Sequence, residues 1–211
     1  MSAVSSSSTS VGARRRDRPT LRWRVVDIVV ASVIGVAAGV IFWAWGVAWE
    51  GISGPLSALL PGVQASLAAM WLFAGVLGGL IIRKPGAAIY VELVAAVVSA
   101  LIGTQWGLLT LESGIVQGLG AEIVFLIVLY RVWSLPIAML AGAASGLAMA
   151  INDLVLWYVG SGPQFAAIYI VSAIVGGALI AGLLSWLAAR GLAATGVLSR
   201  FASGREVTAR V

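Results

Sequence analysis

Glu92, Glu122 and Asp153 fall inside long apolar stretches of the chain, where a carboxylate costs about 2.5–3.5 kcal/mol at mid-membrane depth. Such acids persist when they face a bundle interior or a wet cavity, and no Lys or Arg lies within the same stretches to neutralise them. Two chemistries follow: recognition of a cationic or proton-donating ligand, or helix-to-helix hydrogen bonding by acids that hold a proton. At helical spacing Glu92 shares a face with Ala88, Ala96, Ser99 and Gly103, and Glu122 shares one with Gly114, Gly118 and Phe125. Both faces are lined by small residues and leave room. Asp153 lies near the end of its stretch, beside Asn152 and one turn before Trp157. Gln117, Trp106, Trp71, Trp157 and Tyr158 complete the candidate binding set, amides for orientation and rings for stacking or cation–π area worth about 0.5–2 kcal/mol. Asp27, next to Arg24, reads as an interfacial charge.

The elements that must position these groups are apolar helices. The chain has 211 residues, 61% hydrophobic and 10% charged, and six segments of spanning length consume most of it. They run about 25–45, 63–82, 87–102, 115–130, 135–158 and 165–189, an all-α polytopic membrane architecture. All thirteen Lys and Arg fall on one side of that pattern: six before the first segment, then Arg83 and Lys84, Arg131, and finally Arg190, Arg200, Arg205 and Arg210. The connections at 46–62, 103–114 and 159–164 carry none, although they hold Glu50 and Glu112. Positive charge stays inside, so both termini are expected in the cytoplasm of a bacterial cell membrane and those three connections outside. Residues 1–20, Ser-rich and then Arg-rich, are expected to be a disordered cytoplasmic tail; 21–198 form the membrane domain and 199–211 a second tail. The apolar run after Arg24 is too long for a cleaved signal, so it is expected to be retained.

Several functions drop out. The net charge of +5 comes from inner loops and tails and is explained by insertion, not by nucleic acid. With no cysteine and no histidine, disulfides, zinc, haem, Ser–His catalysis and His–Glu–x–x–His metalloprotease chemistry are lost, and no cofactor is expected. An aspartyl intramembrane protease needs two aspartates deep in the segments, and with Asp27 at the interface beside Arg24 only Asp153 remains. No Gly-x-x-x-x-Gly-Lys-Ser/Thr phosphate loop occurs. Binding or transport remains, the alternative being a self-sufficient secondary transporter for a small organic cation. Ala31, Gly35 and Gly39, four residues apart, form a small-residue stripe that lets another helix approach closely. Its partner is either a helix of the same bundle or a second membrane subunit.

Arg83-Lys84-Pro85-Gly86-Ala87-Ala88 and Val116-Gln117-Gly118-Leu119-Gly120-Ala121-Glu122 closely resemble the YkoE family. The similarity extends in order from about Trp23 to Leu198, through Glu92-Leu93-Val94-Ala95-Ala96, Ser134-Leu135-Pro136, Leu140-Ala141-Gly142, Asp153-Leu154 and Thr195-Gly196-Val197-Leu198. The resemblance implies a six-helix S component of an energy-coupling-factor (ECF) vitamin transporter. Such a subunit would bind thiamine or its hydroxymethylpyrimidine precursor at the outer face and work with a membrane coupling subunit and two cytoplasmic ATPases. It also implies that Ala31, Gly35 and Gly39 dock to the coupling subunit. Thiamine suits the residues: a permanent cation for carboxylates and a flat donor–acceptor ring for amides and indoles.

Overall fold

The computed structural model describes residues 21–204, all-α, as six helices. They are α1 (Val25–Leu59), α2 (Ala65–Ile82), α3 (Ala87–Ile102), α4 (Leu109–Ile127), α5 (Leu135–Leu156) and α6 (Pro163–Ala194). Five of these are long and apolar enough to cross a bilayer. The exception, α3, is equally apolar but has 16 residues, about 24 Å against a hydrocarbon core of about 30 Å. The expected tail at 1–20 and the basic residues at 205 and 210 lie outside the described residues.

The short helix is the centre of the bundle. Three pairs of glycines, one from each neighbour, bring backbones against it: Gly35 and Gly39 of α1, Gly75 and Gly78 of α2, and Gly114 and Gly118 of α4. A methyl group at Gly39 would lie 2.6 Å from Cβ of Val98, and one at Gly118 would lie 2.7 Å from Cα of Ile89. Close approach of this kind drives helix association in lipid, where burial of apolar surface gives no advantage. The stripe Ala31, Gly35, Gly39 is therefore covered by α3 of the same chain, and all three residues are buried. The stripe, expected to dock a second subunit, faces inward in this structure. The lipid-facing side of α1 is instead Val29, Val33, Val36 and Val40. A second seam joins α5 to α6, where Gly142 meets the backbone of Gly177 and Gly182 that of Ala138. There α6 widens into a π-helical segment, Gly177–Leu184.

Two boundaries differ from the sequence expectation. The helix expected to end near Trp45 runs on to Leu59, through Gly46, Gly51, Gly54 and Pro55. Local propensity favours a loop there, but Trp49 packs on Trp71, so tertiary contact prevails. At the other end, residues 199–204, the described part of the expected second tail, pack back on the bundle. Leu198 and Phe201 are buried in the apolar cluster of α1, α2 and α3, and Ser203 donates to Ile81 O at 3.1 Å.

One end of the bundle collects all the basic residues among those described. Asp27, fully buried, accepts from Arg24 at 2.8 Å and is paired with Lys84, whose ammonium also reaches Arg22 O at 2.6 Å. The Trp23 indole donates to Pro85 O at 2.9 Å, and Arg83 stacks on Trp133. The α2–α3 turn is thus tied to both α1 and the start of α5.

An acid-lined aromatic cavity as candidate binding site

At the opposite end the helices part around a cavity of about 280 Å³. Its depth follows from helix direction. On α3, which runs outward from the basic end, the lining residues are Glu92, Ala96 and Ser99, with Thr104 and Trp106 beyond the helix. On α4, which runs back, they are Thr110, Ser113, Gly114 and Gln117. Glu92, Gln117 and Met149 of α5 form the floor; Glu50, Thr104, Trp106, Trp157 and Tyr158 stand at the mouth.

Glu92 is 1% exposed. Its Oε2 accepts the Gly75 backbone N–H at 2.5 Å, while Oε1 is buried without a partner. Glycine at position 75 lets the chain come that close, since a methyl there would sit 2.9 Å from Oε2. A buried acceptor with no donor is costly unless something else supplies one. No Lys or Arg lines the cavity, whereas three acids do: Glu92, Asp153 and Glu50.

Two aromatic groups flank these acids. Trp71 packs edge-on to Trp106 and tilted against Trp49, both with ring centres 4.8 Å apart, and its indole N–H is anchored on Phe42 O at 3.1 Å. Tyr158, Phe165 and Tyr169 form the second group, with centroids 5.0–5.6 Å apart. The Tyr169 hydroxyl donates to Asp153 Oδ2 at 2.6 Å and so orients that carboxylate. An acid-lined site between fixed rings can hold a flat, hydrogen-bonding organic cation.

Of the residues expected from sequence, Glu92, Asp153, Gln117, Trp106, Trp71, Trp157 and Tyr158 line the cavity together. Asn152 does not: its amide donates to Glu112 Oε2 at 3.2 Å and to Ser113 Oγ at 3.3 Å, bridging α5 to α4. Glu122 lies near the basic end, away from the cavity. Its Oε1 accepts Gly86 N–H at 2.6 Å and the Tyr130 hydroxyl at 2.7 Å, and its Oε2 accepts Ala88 N–H at 2.9 Å. Every donor needed to satisfy that carboxylate is supplied by the protein, and it terminates the start of α3 rather than facing ligand. Trp49, Tyr169 and Met149 were missed. None of the three carries a periodic or charge signal that separates it from bundle core or from an interfacial ring.

Residues 26–148 match the family described as the permease component of ABC-type cobalt transport systems. YkoE of Bacillus subtilis (strain 168), named as an HMP/thiamine permease, is 39% identical over 189 residues, which is 88% of this chain and 92% of that protein. A crystal structure of an S component of an ECF transporter superposes with a TM-score of 0.81 at 36% identity, covering 90% of this chain and 95% of that one. The match is to transport subunits over nearly the whole membrane domain, and the chain is accordingly a multi-pass membrane protein and not an enzyme. It belongs to the YkoE family of substrate-binding S components of ECF transporters.

Proposed function

We propose that this subunit captures thiamine or its hydroxymethylpyrimidine precursor in the cavity lined by all six helices, from the side of the membrane opposite the basic residues. The observation that carries the reading is the unpartnered Glu92 Oε1 at the floor of an acid-only, ring-lined cavity. A protonated or amino-bearing pyrimidine, or the thiazolium cation, supplies the missing donor or charge. Trp71, Trp106, Trp157 and Tyr158 offer ring faces, Gln117 orients, and Asp153, with Glu50 above it, favours a cation at the mouth. The volume stands near the lower end of small-molecule pockets, which run from about 300 Å³ upward. A transition-metal cargo has less support: the chain lacks His and Cys, and among the described residues no three Asp or Glu are grouped. Calorimetric titration of the purified protein with thiamine and with hydroxymethylpyrimidine should give saturable binding of at least one. Silence with both compounds sinks the reading.

The subunit would then act with a membrane coupling subunit and two cytoplasmic ATPases, all six helices within the bilayer and both termini cytoplasmic. The gathering of basic residues at one end supports that orientation. Ser161, exposed in the α5–α6 connection, and Ser199, exposed beyond α6, provide the check. Ser161→Cys should react with an impermeant thiol reagent on intact cells, and Ser199→Cys should react only after permeabilisation. The reverse pattern inverts the topology and places the cavity on the inside. Uptake into liposomes by this chain alone, driven by a proton gradient without ATP, would favour a self-sufficient transporter.

A further inference from the structure

Three non-glycine residues among those described have left-handed backbone: Arg83, Leu129 and Tyr130, with φ of 58°, 53° and 53°. All three stand in the turns at the basic end, α2 to α3 and α4 to α5. Side chains with a Cβ disfavour that conformation, and two in succession persist when the surroundings demand it. Here the demand is visible. The Leu129–Tyr130 turn bends the chain back so that the Tyr130 hydroxyl, buried with its ring, reaches Glu122. Glu122 in turn holds two backbone N–H groups at the first turn of α3. Two backbone N–H groups and a phenol hydroxyl thus converge on Glu122 at the N-terminal end of α3, where a carboxyl group is favourably placed.

From Ala88 to Glu92 is one turn of α3, about 6 Å. The helix ends at its outer side in Gly103 with Leu101 exposed, and the residues that flank it, Gly86 and Gly103, have no side chain to cap either end. Glycine contacts with α1, α2 and α4 hold its sides, and Glu122 adds a hydrogen-bonded stop at its inner end. We propose that Glu122, supported by Tyr130, is a positioning residue for Glu92: it fixes the start of α3 and thereby aims the Glu92 carboxylate at the Gly75 amide and into the cavity. The importance of that aim for binding rests on the ligand reading above; the placement itself does not.

The two are separable by experiment. In Glu122→Gln the new amide N–H₂ faces one of the existing donors, so the first turn of α3 shifts. Thiamine affinity, read by tryptophan quenching, should fall about tenfold, and the Gly75 amide, read by hydrogen-exchange mass spectrometry with fragmentation, should exchange at least tenfold faster. In a Glu92→Ala background the same substitution should cost less than about twofold, because its effect runs through a side chain already gone. Tyr130→Phe removes one of three hydrogen bonds and should show the same signature at about threefold; it carries the test if Glu122→Gln does not fold. An equal affinity penalty in both backgrounds, or unchanged Gly75 exchange, overturns the positioning role. If Gly75 exchange accelerates in Glu122→Gln while Glu92→Ala binds thiamine normally, Glu122 positions Glu92 as stated and the ligand reading is the one that fails.

Discussion

Glu92→Gln is expected to weaken thiamine binding about ten- to a hundredfold while leaving the unliganded protein at least as stable as the parent. Glutamine is nearly isosteric with glutamate and keeps an oxygen for the Gly75 N–H, so the α2–α3 contact survives. What disappears is the capacity to carry charge beside a cationic ligand and one acceptor at the free Oε1 position. A hydrogen bond to a charged group is worth roughly 1.5–3 kcal/mol, and each 1.4 kcal/mol is about tenfold in affinity. Stability does not follow affinity. In the empty protein the buried Glu92 has no basic neighbour to pair with, so no ion pair is lost when a neutral amide replaces it. Calorimetry for affinity and a thermal melt without ligand, run on the same preparation, check both halves. A large loss of melting temperature together with weaker binding would assign Glu92 to the fold; unchanged affinity for thiamine and hydroxymethylpyrimidine would remove it from the site.

The pairing of lost affinity with retained stability also separates Glu92 from Glu122, which sequence alone could not do. Both residues are intramembrane acids on small-residue faces, and hydropathy assigns them one and the same cost. Their difference lies in partners from other helices: two backbone donors and a phenol at Glu122, a single donor at Glu92. A hint was present in the chain. Glu122 stands five residues before the end of α4, level with the Pro85-Gly86 turn, where the uncapped start of α3 needs an acceptor. Charge asymmetry was the most readable signal, since insertion acts on it directly, and the basic end follows it. The acids and indoles of the cavity were legible for a related reason, being costly or amphipathic in lipid. Tyr169 and Met149 were not, because an inward-facing ring or thioether resembles core at every scale short of three dimensions. The extension of α1 to Leu59 was hidden by its glycines and Pro55, which a contact between Trp49 and Trp71 overrides.

Gly35→Leu should abolish folding or leave a protein too unstable to purify, because the space beside Gly35 is already filled by α3. The first carbon of any side chain there would lie 2.6 Å from Cγ1 of Val94 and 3.1 Å from Val91 O. The valine methyl could rotate away, but the carbonyl belongs to helix backbone, so α1 and α3 must separate. Overpacking costs typically about 1–3 kcal/mol and occasionally more, and the three further carbons of leucine put this site at the upper end. The displaced helix is the one that carries Glu92, so any protein that survives should lose thiamine binding and assembly together. Val36→Leu, on the exposed face one residue away, is the control and should melt like the parent. Thermal melts in detergent and co-purification with the coupling subunit distinguish the outcomes. If Gly35→Leu melts normally and binds thiamine but fails to assemble, the stripe is reached by a partner after all, and α3 must move aside to admit it.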